Sequence, residues 1–393
     1  MTKKNHYERE FNSPCICFPY VGDTVGGSHI SSLKFVQCLR RRGWNVKVLL
    51  HSDSGPLANY CKVNEIKYEV FLASSFMTLE PGLSIFKWIK VIGEIVNLSR
   101  YIHRTGVKLV HGNDLRINMS WLIATKFARC KHVWHQRSEF SQNKLVCRFI
   151  SQSDKVLAIS NSMKSKVLCP QLRDSIKVIF NPFELVNDSL DFDVRTRLDL
   201  NEGEKIIGFF ANFEASKRPL FFIDIARKLE QRTEQALCFV MCGDFRGQRD
   251  NLQQHVDNIG LKSRIVFQGF VNNSDTYMKA FDLIINTSIR EAFGRTVVEA
   301  MLNETLTLLT DIPAHREIMG DTFPELLIKR DDIDGFVEKA ITLLSSDTKS
   351  SILAREMKNY AVSKYELESS LLSLEETYRL LLLGGVKTDQ PDS

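Results

Sequence analysis

Residues 283–301 have the sequence Leu283-Ile-Ile-Asn-Thr-Ser-Ile-Arg-Glu291-Ala-Phe-Gly294-Arg-Thr-Val-Val-Glu299-Ala-Met301. The apolar run at its start predicts a short buried strand, and the spacing of apolar residues after Gly294 predicts a helix. A strand, a glycine turn and a helix in this order are typical of a parallel sheet covered by helices. Gly294 allows the backbone to approach a ligand closely, and the free N–H groups of the following helix attract anions. The segment therefore predicts an α/β fold with an anion-binding turn.

Two carboxylates, Glu291 and Glu299, flank this turn eight positions apart. A carboxylate in the loop before a helix can accept hydrogen bonds from sugar hydroxyls, and one on the helix can accept both hydroxyls of a ribose. A helix with surface glutamates has the same spacing, which is common by chance. The strand, the glycine and the helix around the pair favour the ligand site over that structural alternative.

The alternation of strand and helix patterns continues on both sides of this segment, which predicts two Rossmann-like α/β domains in tandem. The predicted strands are 16–20, 45–50, 67–71, 108–111, 132–135, 155–159 and 177–180, and then 205–211, 236–242, 264–267, 282–286, 306–309 and 325–328. The predicted helices include 29–42, 83–104, 118–128, 218–232, 249–259, 295–302, 333–344 and 366–383. Ligands of such sheets bind at the carboxyl ends of the strands, so we expect a cleft there.

A polar, acidic stretch from Asp188 to Glu204 is the best candidate for a linker between the two domains. We expect the last helix to cross back to the first domain. The predicted organisation is a tail at 1–12, a first domain at 13–187, a linker at 188–204, a second domain at 205–362, a return helix at 363–384 and a tail at 385–393.

The composition of the 393-residue chain, 44% hydrophobic and 25% charged, is that of an ordinary globular protein. It excludes a disordered tail, a collagen-like fibre and a disulfide-stapled mini-protein. The net charge of +5 hides an asymmetry: residues 1–180 carry 27 Lys and Arg against 12 Asp and Glu, and the remainder carries 25 against 35. The basic first half predicts an anionic partner, which could be a nucleic acid, phospholipid head groups or a diphosphate-linked substrate.

The nine cysteines show no zinc-binding spacing. The N-terminus has no apolar targeting segment, and no apolar run approaches the roughly 18 residues of a membrane span. We therefore expect a reduced, cytoplasmic protein without a metal. The segment 83–104 combines Phe86 and Trp88 with Lys87, Lys90 and Arg100, which is typical either of a helix packed on a sheet or of an interfacial membrane helix.

Two more loops follow predicted strands. The first runs from Phe209 to Pro219 and contains Asn212, Lys217 and Arg218. Its cations either cap a surface helix or stabilise a departing diphosphate, which gains charge as it leaves. The second contains Gly26 and Gly27 before a predicted helix. It lacks the dinucleotide-binding spacing but suits phosphate or acceptor binding, with a simple tight turn as the alternative.

Two histidines, His111 and His135, end predicted strands and should lie at the carboxyl edge of the first sheet. A histidine at a strand end is usually structural. Asn113 and Asp114, which follow His111, and Arg137, which follows His135, are candidate contacts for an acceptor substrate.

These motifs, in this order, resemble the family-four retaining glycosyltransferases of the GT-B fold, and the resemblance runs from about residue 14 to residue 383. Its most specific part is the Glu-x₇-Glu motif at 291–299. The resemblance implies that Glu291 contacts the donor sugar, that Glu299 contacts the nucleotide ribose, and that Gly294, Arg295 and Thr296 contact the donor diphosphate or sugar.

The resemblance assigns further residues. It implies that Lys217 binds the donor diphosphate, and that His135 lines the reaction centre. Gly26 and Gly27 match the glycine pair of the acceptor domain, which faces the donor, and we expect them to contact the donor. Asn212 departs from the family pattern, because the family has an arginine there; Arg218 or Arg295 is a candidate to supply the missing charge.

The predicted reaction is transfer of a hexose-type sugar from a nucleotide diphosphate, of UDP or GDP type, to a hydroxyl acceptor. The resemblance implies retention at the anomeric carbon, no metal and no other cofactor. The expected acceptor is a lipid-linked or polysaccharide intermediate of cell-surface glycan synthesis, reached at an anionic membrane surface; nucleic acid is not expected. Two alternatives stay open, a nucleotide-sugar epimerase of the same fold and a non-catalytic subunit that binds a sugar nucleotide.

Overall fold

The computed structural model describes residues 14–73, 76–77, 85–139, 144–167, 169–183, 193–271 and 273–383. The chain divides into two compact units, and the first comprises residues 1–182 together with residues 367–393. The second unit comprises residues 183–366. The expected tails at 1–12 and 385–393 lie outside the described residues.

The first unit is built on a parallel sheet whose strand order, in the described residues, is β3-β2-β1-β4-β5-β6-β7. Its strands are β1 (Cys15–Tyr20), β2 (Val46–Leu50), β3 (Glu69–Val70), β4 (Val107–Gly112), β5 (Lys131–Gln136), β6 (Lys155–Ala158) and β7 (Lys177–Val178). Its helices are α1 (Gly27–Arg41), α2 (Pro56–Val63), α3 (Ile85–Thr105), α4 (Leu115–Phe127), α5 (Lys144–Ser151), α6 (Asn161–Ser165), α7 (Pro170–Arg173) and α16 (Leu367–Leu383). The order reverses between β1 and β4, which is where such sheets bind ligands.

The second unit contains a parallel sheet with the order β10-β9-β8-β11-β12-β13 in the described residues. Its strands are β8 (Lys205–Phe210), β9 (Leu237–Cys242), β10 (Arg264–Gly269), β11 (Leu283–Asn286), β12 (Leu306–Thr310) and β13 (Leu327–Ile328). Its helices are α8 (Val194–Arg197), α9 (Pro219–Glu230), α10 (Arg249–Ile259), α11 (Ser274–Ala280), α12 (Arg295–Leu302), α13 (Pro313–Met319), α14 (Ile333–Leu344) and α15 (Asp347–Tyr365). Single 3₁₀ turns lie at Ala215–Lys217 and Pro324–Leu326.

The predicted α/β class and the two parallel-sheet, Rossmann-like domains are confirmed. Buried residues dominate the central strands because helices cover both faces of each sheet. Cys15–Tyr20 and Leu237–Cys242, for example, are buried at every position.

The return of the last helix to the first unit has a clear cause in the core. Leu371, Leu374 and Tyr378 of α16 are buried in the hydrophobic cluster of the first unit. Glu375 adds a hydrogen bond from Trp44 Nε1 at 2.8 Å and an ion pair with Arg42 at 3.0 Å. The helix begins at Leu367, one residue after the predicted helix start at 366, and the boundary drawn at 363 falls within α15, which continues to Tyr365 in the second unit.

The expected linker at 188–204 differs from the structure in the part that is described. Asp193 caps α8, and Val194 and Leu198 are buried in the hydrophobic cluster of the second unit. These two apolar residues lie four positions apart, so one short helix can bury both within an acidic stretch. From residue 193 onwards the segment is therefore part of the second unit.

The expectation that all cysteines are reduced is wrong for one pair. Cys147 and Cys169 form a disulfide, with their Cα atoms 5.6 Å apart. The tertiary fold brings Cys147 of α5 next to Cys169, which precedes α7. The two cysteines are 22 positions apart, and their spacing in the sequence does not predict this contact. The other cysteines in the described part of the chain are unpaired and buried.

Candidate functional site

An ion pair joins two residues that the sequence singled out in the second unit. Lys217 Nζ lies 2.5 Å from Glu291 Oε1. The two side chains are only 19% and 13% exposed, so water screens the pair weakly. Lys217 follows β8 and Glu291 follows the neighbouring strand β11, so both come from the carboxyl edge of the sheet. The structure thus brings together a cation and a carboxylate that are 74 positions apart.

The loops that carry this pair are tied to each other by backbone groups. The Thr287 hydroxyl donates to the Lys217 carbonyl at 2.7 Å, and the Ile289 N–H donates to the Ser216 carbonyl at 2.9 Å. Thr287 and Ser288 are both fully buried. The positions of Lys217 and Glu291 are therefore set by a rigid connection between the two strand ends.

Helix α12 begins beside the ion pair, at Gly294. This residue has a φ of +98°, which is unfavourable for residues with a side chain. A Cβ there would lie 3.0 Å from Ile318 Cδ1, so the space beside the turn is also restricted. The N–H groups of Arg295 and Thr296 lie in the first turn, where a helix leaves its amides free for an anion. Because α12 has eight residues and buried apolar positions, this amide group is held in place.

Glu299 lies one turn into α12 and is paired with Arg295. Arg295 Nε donates to Glu299 Oε1 at 3.1 Å, and Nη2 forms a second contact with the same oxygen. The Arg295 guanidinium also lies 5.2 Å from the centre of the Phe183 ring. In this structure Arg295 thus neutralises the carboxylate that the sequence analysis assigned to a ribose.

His315 belongs to this cluster but was missed in the sequence analysis. It is fully buried, and a Cβ on Gly294 would lie 3.8 Å from its Nε2 atom. Its Nδ1–H donates to the Thr310 carbonyl at 2.7 Å, which leaves Nε2 as a bare acceptor without a partner among the described residues. Burial lowers the pKa of His315, and the nearby Glu291 carboxylate opposes this effect. The sequence around His315, Pro-Ala-His-Arg, contains no pattern that distinguishes a ligand-binding histidine from one that only supports the fold.

Asn212, the residue that departs from the expected arginine, has a backbone role. Its Oδ1 atom accepts the Asp244 N–H at 3.4 Å, and its carbonyl accepts the Glu214 N–H at 2.8 Å. It therefore connects the loops after β8 and β9.

Arg218 occupies the left-handed region, with φ of +55°. Its guanidinium carbon lies 3.8 Å from the centre of the Phe221 ring, and Nη2 pairs with Asp331 at 2.5 Å. Its Nη1 atom is buried without a hydrogen-bond partner in the described part of the chain. Arg218 Nη1 could therefore donate a hydrogen bond to a bound anion.

A second cluster lies in the first unit, at the carboxyl ends of β4 and β5. His111 Nε2 lies 3.0 Å from His135 Nδ1, and Arg137 Nη2 lies 3.2 Å from the same nitrogen. Arg137 also donates through Nε to Asn113 Oδ1 at 2.7 Å and through Nη1 to Asn181 Oδ1 at 3.0 Å. The structure thus joins four predicted residues with Asn181.

Tyr378, from the return helix α16, completes this cluster and was also missed. Its hydroxyl lies 2.6 Å from His111 Nδ1, and the ring of Phe18 stacks on His111 at 4.5 Å. Burial first, and then the Arg137 charge, lower the pKa of both His111 and His135 well below the usual value. Burial raises the pKa of Tyr378, so its phenol stays protonated.

The remaining predicted residues of the first unit lie at helix starts. Asp114 is the N-cap of α4 and accepts the Ile117 N–H at 2.9 Å, while burial raises its pKa. Gly26 is the N-cap of α1, and Gly27 is its first residue. A Cβ on Gly26 would meet no protein atom within 4 Å. Protein packing therefore does not require a glycine at position 26, although glycine is a favoured N-cap residue.

Among the described residues, no group of three or more His, Cys, Asp or Glu side chains is arranged to hold a metal ion. In the same part of the chain, no helix combines the length and the apolar character needed to cross a bilayer.

Comparison with known proteins places both halves of the chain in glycosyltransferase families. Residues 25–186 match the model of Glycosyltransferase Family 4, and residues 192–364 match that of Glycosyl transferases group 1. Together the two models account for most of the chain, and each falls on one of the two units.

Two relatives are distant in sequence but match over most of their length. The chain is 21% identical to UDP-Gal:alpha-D-GlcNAc-diphosphoundecaprenol alpha-1,3-galactosyltransferase of Escherichia coli, over 84% of this chain and 88% of that protein. It is 26% identical to an uncharacterized glycosyltransferase of Methanocaldococcus jannaschii, over 77% and 81% of the two chains. The crystal structure of Anabaena HepE in complex with UDP-glucose superposes with a TM-score of 0.78 at 20% identity, covering 93% of this chain and 99% of that one.

The solved structure supports the fold, and the two family models support the class of enzyme. The Glu-x₇-Glu motif, the Lys217–Glu291 pair and the amide-rich start of α12 lie in the half that matches the group 1 model. The expected resemblance is therefore confirmed: the chain belongs to the GT-B glycosyltransferases of family 4, which transfer a sugar from a nucleotide sugar to an acceptor.

Proposed function

We propose that the protein is a metal-independent, retaining hexosyltransferase that uses a UDP-sugar and acts on a lipid-linked or polysaccharide intermediate. The observation that carries this proposal is the shielded Lys217–Glu291 pair beside the free amides of α12. A cation, a carboxylate and a helix N-terminus at one edge of a sheet match the charges and hydroxyls of a nucleotide diphosphate sugar.

Each residue of this cluster has a separate task in the proposed complex. Lys217 leaves Glu291 and binds the diphosphate, and Glu291 then accepts a hydrogen bond from a sugar hydroxyl. Glu299 leaves Arg295 and accepts both ribose hydroxyls. His315 Nε2, a buried acceptor without a partner in the described residues, accepts a hydrogen bond from a second sugar hydroxyl. Arg218, with a buried Nη1 that lacks a partner there, supplies the charge that Asn212 does not.

The proposed chemistry needs no carboxylate nucleophile. The bond between the anomeric carbon and the diphosphate oxygen breaks, and the acceptor oxygen bonds to the same face of the sugar. The departing phosphate takes the proton of the acceptor hydroxyl, so charge and atoms balance. The sugar passes through an oxocarbenium-like state. Lys217 and the α12 amides stabilise the charge that develops on the diphosphate, which replaces the role of a metal ion.

The substrates are proposed from the relatives. The E. coli relative is named as transferring galactose from UDP-Gal to a diphosphoundecaprenol-linked sugar, and a relative of Rhizobium meliloti is named as a lipopolysaccharide core mannosyltransferase. In this chain the acceptor would bind in the first unit, near His135, Asn113 and the α1 start at Gly26 and Gly27. His111, Asp114 and Arg137 hold that region in place through their contacts.

The donor can be identified by thermal stabilisation. At a concentration of about 100 times its dissociation constant, UDP should add roughly 2.7 kcal/mol to the second unit. For a unit of this size, that raises the midpoint of unfolding by roughly 5–10 °C. We expect UDP and a UDP-hexose to produce this shift without metal, and the variant Glu299→Gln to reduce it.

The matched control for this measurement is Glu325→Gln, which removes the same charge from an exposed position of the second unit. It should leave the shift unchanged. A shift with GDP and none with UDP would overturn the choice of donor. A shift with neither would contradict the donor site, and isomerisation of the sugar nucleotide without an acceptor would favour an epimerase.

We also propose that helix α3 docks the first unit on an anionic membrane. Its buried side packs through Val91, Ile95, Leu98 and Ile102, yet Phe86, Trp88, Ile89, Ile92 and Val96 are exposed on other sides. Exposed Lys90, Arg100 and Arg104 lie on the same helix. An aromatic and aliphatic surface with basic neighbours is suited to the head-group region of an anionic bilayer.

Co-sedimentation with vesicles tests this docking. The double variant Phe86→Ser/Trp88→Ser should bind phosphatidylglycerol-containing vesicles at least about tenfold more weakly, since each tenfold step corresponds to only about 1.4 kcal/mol of lost burial. The control Phe270→Ser changes an aromatic residue that is 65% exposed in the second unit and should bind normally. Equal binding of all three proteins, or binding that does not depend on anionic lipid, would contradict the proposal.

A further inference from the structure

The hydrogen bonds of the His111–His135 cluster determine which ring nitrogens of the two histidines carry protons. Arg137 Nη2 lies 3.2 Å from His135 Nδ1. A guanidinium is always protonated and can only donate. His135 Nδ1 must therefore be an acceptor without a proton.

The hydrogen bonds continue from His135 through His111 to Tyr378 of the return helix α16. His111 Nε2 is 3.0 Å from the bare His135 Nδ1, so His111 Nε2 must carry a proton and donate it. Both rings are fully buried beside the Arg137 charge and are neutral, so His111 Nδ1 is bare. It accepts the hydrogen of the Tyr378 hydroxyl, 2.6 Å away. The direction of every bond from Tyr378 to His135 is thus determined.

The end of this chain is an N–H group without a partner. Neutral His135, bare at Nδ1, carries its proton on Nε2, and that atom is buried with no hydrogen-bond partner in the described residues. An unmet buried donor is unfavourable in the free protein, and an oxygen atom of a bound substrate removes this cost. A protonated Nε2 also has no lone pair with which to act as a base.

We propose that Arg137, His111 and Tyr378 are positioning residues that hold His135 as an Nε2–H donor to an oxygen of the bound sugar substrate. His135 then orients substrate and takes no proton. Arg137 Nε, Nη1 and Nη2 donate to Asn113, Asn181 and His135, so these contacts hold the guanidinium within the cluster. This inference rests on the proposed function for the identity of the ligand, but the proton positions are independent of it.

Nitrogen-15 NMR of the free, histidine-labelled protein tests the proton positions without any substrate. At pH 7 we expect both His111 and His135 to be neutral with the proton on Nε2. The resonances are assigned with His111→Asn and His135→Asn. A proton on His135 Nδ1, or a charged His135, would overturn the proposal even if the protein transfers sugar.

Kinetics then test whether Tyr378 acts through His135. Tyr378→Phe removes only the hydroxyl, and we expect kcat to fall about tenfold, the effect of one lost buried hydrogen bond. In a His135→Asn background the same change should have no further effect, because there is no ring left to position. The control Tyr101→Phe, which removes the hydrogen bond to Glu69 in the same unit, should leave kcat unchanged. An undiminished effect of Tyr378→Phe in the His135→Asn background would show a merely structural role and contradict the proposal.

Discussion

Replacing Lys217 by Met is expected to lower kcat for sugar transfer by about 10²- to 10³-fold, the usual effect of removing one preorganised charge from a transition state. The diphosphate gains negative charge as the glycosidic bond breaks, so the loss should appear in kcat more than in KM. Methionine keeps the length of the side chain and its packing. Glu291→Gln should also lower kcat, because an amide is a weaker acceptor for a sugar hydroxyl than a carboxylate.

The matched control is Lys358→Met, which breaks a lysine–carboxylate pair of 2.7 Å with Glu304 elsewhere in the second unit. It should change kcat less than about threefold. Steady-state kinetics with a UDP-hexose and analysis of the product anomer measure these effects together. A Lys217→Met enzyme with nearly normal kcat would contradict the proposed role of the cation, and an inverted product would contradict the front-side reaction.

Acid is expected to unfold the first unit near pH 5, because this unit buries His51, His111, His132 and His135. Burial lowers the pKa of His51 to about 4 and that of His132 to about 3, and it lowers the other two well below 6.5. The unfolded chain takes up protons near pH 6.5, whereas the folded unit does not. The stabilisation is therefore complete above about pH 6.5 and is lost as the pH falls towards the folded pKa values.

The size of this effect follows from the number of histidines. Each contributes about 1.4 kcal/mol per pH unit, so the four together lower the free energy of unfolding by about 5 kcal/mol per unit between about pH 6 and pH 4.5. A domain has a total stability of about 5–15 kcal/mol, so one or two pH units suffice to unfold it.

Tryptophan fluorescence can measure this transition in one unit alone. All four tryptophans, at positions 44, 88, 121 and 134, lie in the first unit. Urea unfolding at several pH values gives the slope. The variant His132→Phe should reduce the slope by about 1.4 kcal/mol per pH unit, whatever it does to stability at pH 8. His255→Gln, at a partly exposed position of the second unit, should leave the slope unchanged. A slope near zero would contradict the buried, neutral state of these histidines.

Local patterns were sufficient to predict the strands and the glycine turn before α12. Every predicted strand is present, with ends that differ by a few residues, because β-branched and apolar runs between turns have few alternatives in a covered parallel sheet. The start of α12 at Arg295 agrees with the prediction because Gly294 and the apolar spacing after it are both local signals. The long helix α15 was not predicted, although its buried residues Ala354, Met357, Ala361 and Tyr365 recur at helical spacing.

Contacts between distant segments could not be predicted in the same way. Nothing in the local pattern at Tyr378 points to His111, which is 267 positions away, and His315 has no neighbour in sequence that marks it. The Cys147–Cys169 disulfide and the packing of α8 into the core of the second unit are of the same kind. These features depend on which faces of which helices pack together, and that is decided by the core as a whole.

The amino-acid sequence by itself therefore determined the α/β class and the two parallel sheets, because these rest on periodicity within each strand–turn–helix unit. It also marked Lys217, Glu291, Gly294 and Glu299 as candidate site residues, because each lies in such a unit. The tertiary structure alone decided that Lys217 is held against Glu291, that Arg295 neutralises Glu299 and that α16 supplies Tyr378 to the first unit. The physical reason is the distance along the sequence over which each interaction acts. Propensity and hydrophobic patterning act over a few residues, whereas hydrogen-bond direction and charge pairing depend on atoms that only the folded core brings within about 3 Å.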